Sequence, residues 1–135
     1  MNAPATATTS KAMYWTGWVL SVLPCLMLLM SAYMKLNPPP EVIEKMKESG
    51  FPMQLATPLG ITELACVVIY LIPRTAVLGA ILLAAYLGGA VCSHVLKLEG
   101  PSVWSTAVVL GVLLWLGLWL RDSRLRALLP FTSKA

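Results

Sequence analysis

Glu63 lies inside the run 55–72, LATPLGITELACVVIYLI, in which no other residue carries a charge. It is the one acidic residue within any long apolar run of the chain. It falls about eight residues into the run, or about 12 Å deep at ~1.5 Å per residue. A charge at such a depth costs about 2.5–3.5 kcal/mol on translocon scales, so the carboxyl needs a partner, a proton or water. Two roles follow. Glu63 handles protons or binds a ligand, or it holds two helices together by a hydrogen bond. His94 is the single histidine, three residues before the end of the run 75–96. An imidazole, with its ordinary pKa near 6.5, suits acid–base work; at an interface it is simply half in water. Lys35 closes the first apolar run. It either snorkels to the headgroups or reaches back toward Glu63. Ser31, Tyr33 and Asn37 supply hydrogen-bonding groups around the same mouth. This set fits proton transfer on, or binding of, a molecule that lives in an apolar medium.

Other chemistries are excluded by residue type and spacing. Cys25, Cys66 and Cys92 fall on three different runs. Thiol–quinone exchange would want a close pair, so these cysteines read as small apolar packing residues. One histidine and no ligand cluster leave no zinc or haem set, and no glycine-rich phosphate loop is present. Neither a metal nor a nucleotide is expected.

The elements that must hold these groups are membrane spans. Of the 135 residues, 58% are hydrophobic and 12% charged, against roughly 25% charged in soluble domains. The mean hydropathy is +0.76. Four apolar runs, at about 13–34, 55–72, 75–96 and 103–120, are long enough to cross a bilayer. Residues 1–12 read as a disordered polar tail, 13–120 as one membrane domain and 121–135 as a basic tail. Pro24 is expected to kink the first span, with Ser21 serving a freed carbonyl. Between spans one and two, Pro38-Pro39-Pro40 precedes EVIEKMKES, in which Val42, Ile43 and Met46 share one face. This stretch reads as a short interfacial helix. The third run carries small residues four apart, Ala80, Ala84, Gly88 and Ala85, Gly89, Ser93, which place it at the centre of the bundle.

The net charge is +4, but the basic residues flank the spans and form no nucleic-acid surface. Lys11, Arg74, Arg121, Arg124, Arg126 and Lys134 fall on the side of the termini, and Lys35, Lys45, Lys47 and Lys97 on the other. That bias favours cytoplasmic termini. Trp15, Trp18, Tyr70, Trp115 and Trp119 would form an aromatic belt on the terminal side, with Tyr33 and Trp104 opposite.

Four segments carry a family resemblance: SAYMKL at 31–36, ESGFP at 48–52, PLGITELACVVIYLIPR at 58–74 with Gly60 and Glu63 in register, and LGAILLAAYLGGAVCSHV at 78–95. Over about residues 14–120 the chain resembles the DoxX-like family of small bacterial four-span membrane proteins. The resemblance implies a four-helix membrane bundle in a bacterial inner membrane. The family takes its name from a subunit linked to thiosulfate:quinone oxidoreduction, which implies a quinone-like ligand and a place in a redox complex. The layout is also similar to EXPERA-type sterol isomerases, an analogy of fold alone.

The expectation is therefore an all-α, integral membrane four-helix bundle with one short interfacial helix. It has a polar pocket opening to the periplasmic half, with Glu63 as floor, Lys35 and His94 as rim, and Tyr33 and Asn37 beside them. The pocket would bind a quinone or another lipophilic molecule, with the bilayer, a redox complex or a second copy as partner. The alternatives are an isomerase in which Glu63 and His94 move a proton, and a non-catalytic packing protein.

Overall fold

The computed structural model describes residues 9–129. The tail residues 1–8 and 130–135, Lys134 included, lie outside them. Six α-helices follow one another: α1 Lys11–Leu36, α2 Pro40–Glu48, α3 Ala56–Leu71, α4 Ala76–Leu96, α5 Pro101–Arg121 and α6 Ser123–Leu128. A single 3-10 turn, Met53–Leu55, leads into α3. No strand occurs among the described residues. Helices α1, α4 and α5, and α3 with its leading turn, are long and apolar enough to cross a membrane. They form a ring in which α1 and α4 each pack against both α3 and α5.

Local chemistry sets the helix ends. The Ser10 hydroxyl caps α1 by accepting from the Met13 N–H at 3.2 Å. The helix thus begins at Lys11, two residues before the expected span, and takes up the end of what reads as tail. Pro40 stands at the first turn of α2, where its missing N–H costs nothing. Glu41 at the start of α2 and Lys45 and Lys47 at its end match the helix dipole. Helix α2 has no buried residue, and Val42, Ile43 and Met46 are half-buried on one face. The Thr75 hydroxyl donates to Ile69 O at 2.8 Å and closes the tight α3–α4 turn. After α5 the chain does not run on as a tail: Asp122 caps α6, and the Arg126 guanidinium donates to Trp119 O and Leu120 O.

The ring is tightest on the side of the termini. A Cβ on Gly17 would lie 2.7 Å from Gly117 O, and one on Gly117 would lie 2.6 Å from Ser21 Oγ, so α1 and α5 cross nearly backbone to backbone. A Cβ on Gly79 would lie 2.3 Å from the Tyr70 backbone. Tyr70 is fully buried and does not join an aromatic belt. Its hydroxyl donates to Leu114 O at 2.6 Å and lies 2.8 Å from Ser21 Oγ. The Ser21 hydroxyl also reaches Gly17 O at 2.8 Å, so it is spent on this contact and not on a carbonyl freed by Pro24. The Arg121 guanidinium lies over the Trp18 ring at 4.2 Å and the Tyr70 ring at 4.9 Å.

The small-residue stripe of α4 does not make that helix the centre. Ala80 is buried, but Ala84, Ala85, Gly88 and Gly89 are exposed, and a Cβ on either glycine would touch nothing within 4 Å. Small side chains permit close approach without compelling it. Here they leave space on both flanks of α4.

Candidate functional site

On the side away from the termini the ring opens into a cavity of about 700 Å³. Side chains from α1, α3, α4 and α5 line it, and most of that lining is apolar, with Met27, Leu28, Leu59, Ala85 and Leu110 among them. The polar part begins at the α1–α3 seam. Gly60 brings the two helices together there: a Cβ on it would sit 3.0 Å from the Leu36 side chain and 3.2 Å from Ala32 O. Glu63 follows three residues later on the same face and is 1% exposed.

Lys35 Nζ donates to Glu63 Oε2 at 2.9 Å. It also donates to Ser31 Oγ, and the Ser31 hydroxyl donates to the same carboxylate oxygen at 3.2 Å. The pair forms although the two residues sit at different depths. A helical side chain leans toward its own N-terminus. Helix α1 ends at the cavity mouth, so Lys35 leans inward; α3 begins there, so Glu63 leans outward. The antiparallel arrangement adds the two leans. Tyr86 on α4 brings its hydroxyl to interact with Glu63 across the cavity. Three helices thus converge on one carboxylate.

His94 lines the cavity at its mouth, and its partner is not Glu63. Its Nδ1 is hydrogen-bonded to Glu99 Oε2. Glu99 is held there by the way α4 ends. The Glu99 N–H donates to His94 O at 3.1 Å and the Leu98 N–H to Val95 O at 3.0 Å, with Leu98 at φ 56°. That is a Schellman ending with leucine where glycine is usual. Beside it, Lys97 Nζ lies 5.6 Å from the centre of the Phe51 ring, and both residues line the mouth. Ser93 and Thr106 add hydroxyls to the walls.

Tyr33 is 58% exposed on the outside of α1, and Asn37 is exposed at its C-terminus, where its N–H donates to Tyr33 O. Neither lines the cavity. Sequence reasoning missed Tyr86, Phe51, Lys97 and Glu99. Tyr86 did carry a signal: a phenol in the middle of a span, far from either interface belt. Cys66 is buried one turn after Glu63, Cys25 is buried in the core, and Cys92 is exposed. Among the described residues no three His, Cys, Asp or Glu side chains come close enough to hold a metal ion.

Four apolar helices around a charged internal cavity define a multi-pass membrane protein with a polar site between its helices. The chain belongs to the DoxX-like family, whose family model matches residues 19–117, a stretch that contains Lys35, Glu63 and His94. No curated protein and no solved structure matches the chain.

Proposed function

We propose that this DoxX-like protein binds a small lipophilic molecule with a polar head in the cavity between α1, α3, α4 and α5. One observation carries the reading: the Lys35–Ser31–Glu63 cluster forms part of the wall of a cavity of about 700 Å³ whose remaining lining is mostly apolar. Ligand sites are mostly apolar hollows with a few convergent polar groups. An ion pair serving only to join helices would gain nothing from facing an open space. A quinone or an isoprenoid-like lipid has the required form, and such a ligand suits a membrane subunit of a redox complex or a homodimer. The surplus of Lys and Arg on the side of the termini supports cytoplasmic termini, an inner-membrane location and a cavity opening toward the periplasmic half. Lys35 strengthens that bias, because its charge is matched within the bundle.

A second reading is favoured by Tyr86. A phenol beside a carboxylate in an apolar cavity suits proton transfer to a hydrophobic substrate, as in an isomerase. In that reading Tyr86 joins Glu63 as the working pair, and His94, paired to Glu99, stands at the entrance.

Native mass spectrometry of the gently solubilised protein, with lipid extraction, tests both readings. A defined lipophilic molecule retained by the wild type and lost in Glu63→Gln supports binding. A folded protein that carries only bulk phospholipid in both forms overturns it. Conversion of the extracted molecule by the isolated protein separates the isomerase from the binding subunit.

A further inference from the structure

We infer that the cavity selects an amphiphile with an uncharged hydrogen-bonding head, a carbonyl or a hydroxyl, and rejects an anionic one. This rests on the binding reading above and adds the charge class of the ligand.

The inner polar site carries one cation and one anion in direct contact, Lys35 and Glu63 at 2.9 Å, so its charge is already balanced. No other salt bridge involves either residue among the described residues. The site is not saturated as a hydrogen-bonding surface, however. An ammonium has three donors; one goes to Ser31 Oγ and one to Glu63 Oε2, which leaves one for a ligand. A carbonyl or hydroxyl oxygen accepts that bond without disturbing the balance, and Tyr86 lines the same cavity. A carboxylate or phosphate in the same place adds an unmatched charge in an apolar surround, a penalty worth about a hundredfold in affinity.

The mouth does not offer an anion a better seat. His94 is paired with Glu99, and Lys97 rests on the Phe51 ring, both at the end of α4. A head held at Lys97 would lay its apolar tail against the Lys35–Glu63 pair and leave the spare donor unmet.

The test uses the full chain in detergent and two probes of equal tail length, dodecanol and dodecyl sulfonate, at sub-micellar concentration. Binding is read by calorimetry and by mass shift. The wild type is expected to hold dodecanol at least about tenfold more tightly than the sulfonate. In Glu63→Gln, where Lys35 is left unmatched, the preference should invert. In the double variant Lys35→Gln with Glu63→Gln, neutral throughout, rejection of the sulfonate should return. Wild-type protein that binds both probes equally overturns the charge class and leaves the binding reading standing. A protein that takes up neither probe overturns the binding reading itself. Lys97→Gln covers the case in which the Glu63 variant does not fold. An unchanged preference there supports the inner site, and a loss of sulfonate binding places the head at the mouth and overturns the inference.

Discussion

Lys35 and Glu63 meet at 2.9 Å because the antiparallel helices that carry them direct their side chains toward one another. Counting rise along the axes alone places the carboxylate about 10 Å below the lysine, too far for a side chain that spans about 6 Å. The lean of each side chain toward its own N-terminus, together with the close approach at Gly60, closes that gap. Lys35 is thereby drawn from the headgroup region into the bundle.

Removing one member of this pair strands the other. Lys35→Met and Glu63→Ala should each cost about 3–5 kcal/mol, the range for breaking a buried pair from one side. The double variant should cost clearly less than the sum, because it leaves no orphan charge. Thermal unfolding in detergent of the wild type, both single variants and the double variant measures the coupling. Additive losses would mean that the two groups do not depend on each other.

Much of the architecture is legible in the residues, and the gaps have identifiable physical causes. Length and apolarity place the four spans, and the proline run with EVIEKMKES places α2. Glu63 announces itself as a charge inside a span. Its partner is harder to read, since axial rise says nothing of side-chain lean. The pairing of His94 with Glu99 needs Leu98 at φ 56°, a conformation that leucine rarely adopts and that no pattern signals. The α4 stripe reads as a packing surface, although Gly88 and Gly89 face open space. Composition shows that a helix surface is smooth, not whether a neighbour comes up to it.

The glycines separate these two situations. Gly117→Ala pushes a methyl into Ser21 Oγ at 2.6 Å and Gly17 O at 2.8 Å, where backbone cannot yield. A loss of about 1–3 kcal/mol is expected from overpacking. Gly88→Ala meets nothing and should be neutral, or stabilising by up to about 1 kcal/mol through helix propensity. Melting temperatures of the two variants side by side decide whether the α1–α5 crossing is the tight seam.

Tyr70→Phe removes one oxygen from the core on the side of the termini. Leu114 O loses its side-chain donor at 2.6 Å but keeps its helical N–H, and Ser21 loses the phenol at 2.8 Å but keeps Gly17 O. The expected cost is about 0.5–1.5 kcal/mol, the net value of a typical hydrogen bond, since no buried group is left without a partner. Ligand retention should not change, because Tyr70 does not line the cavity. A loss of retention at unchanged stability would contradict the separation of the two polar clusters.

Leu98→Gly should raise stability. Leucine in the left-handed region carries a steric cost of about 1–2 kcal/mol, and glycine, the usual residue at this point of a Schellman ending, removes it. Leu98 is 92% exposed, so no packing is lost. The greater chain entropy of glycine offsets part of the gain, leaving about 1 kcal/mol. A measured loss would show that the Leu98 side chain makes a contact of its own, as with the bilayer surface.

Ser31 and Tyr33 are two residues apart on α1 and lie on opposite sides of the cavity wall. Ser31 bridges Lys35 and Glu63 within the site, while Tyr33 faces outward. If the cavity holds the ligand, Ser31→Ala should weaken retention by about tenfold, the value of one hydrogen bond to a charged group. Tyr33→Phe should leave retention unchanged. Both substitutions remove one hydroxyl and keep the helix, so a general loosening of the fold would lower both alike. Native mass spectrometry of the two variants, with the bound lipophile counted against the wild type, distinguishes these outcomes. Retention that falls in Tyr33→Phe and holds in Ser31→Ala would move the binding surface to the outer face of α1 and away from the Lys35–Glu63 pair.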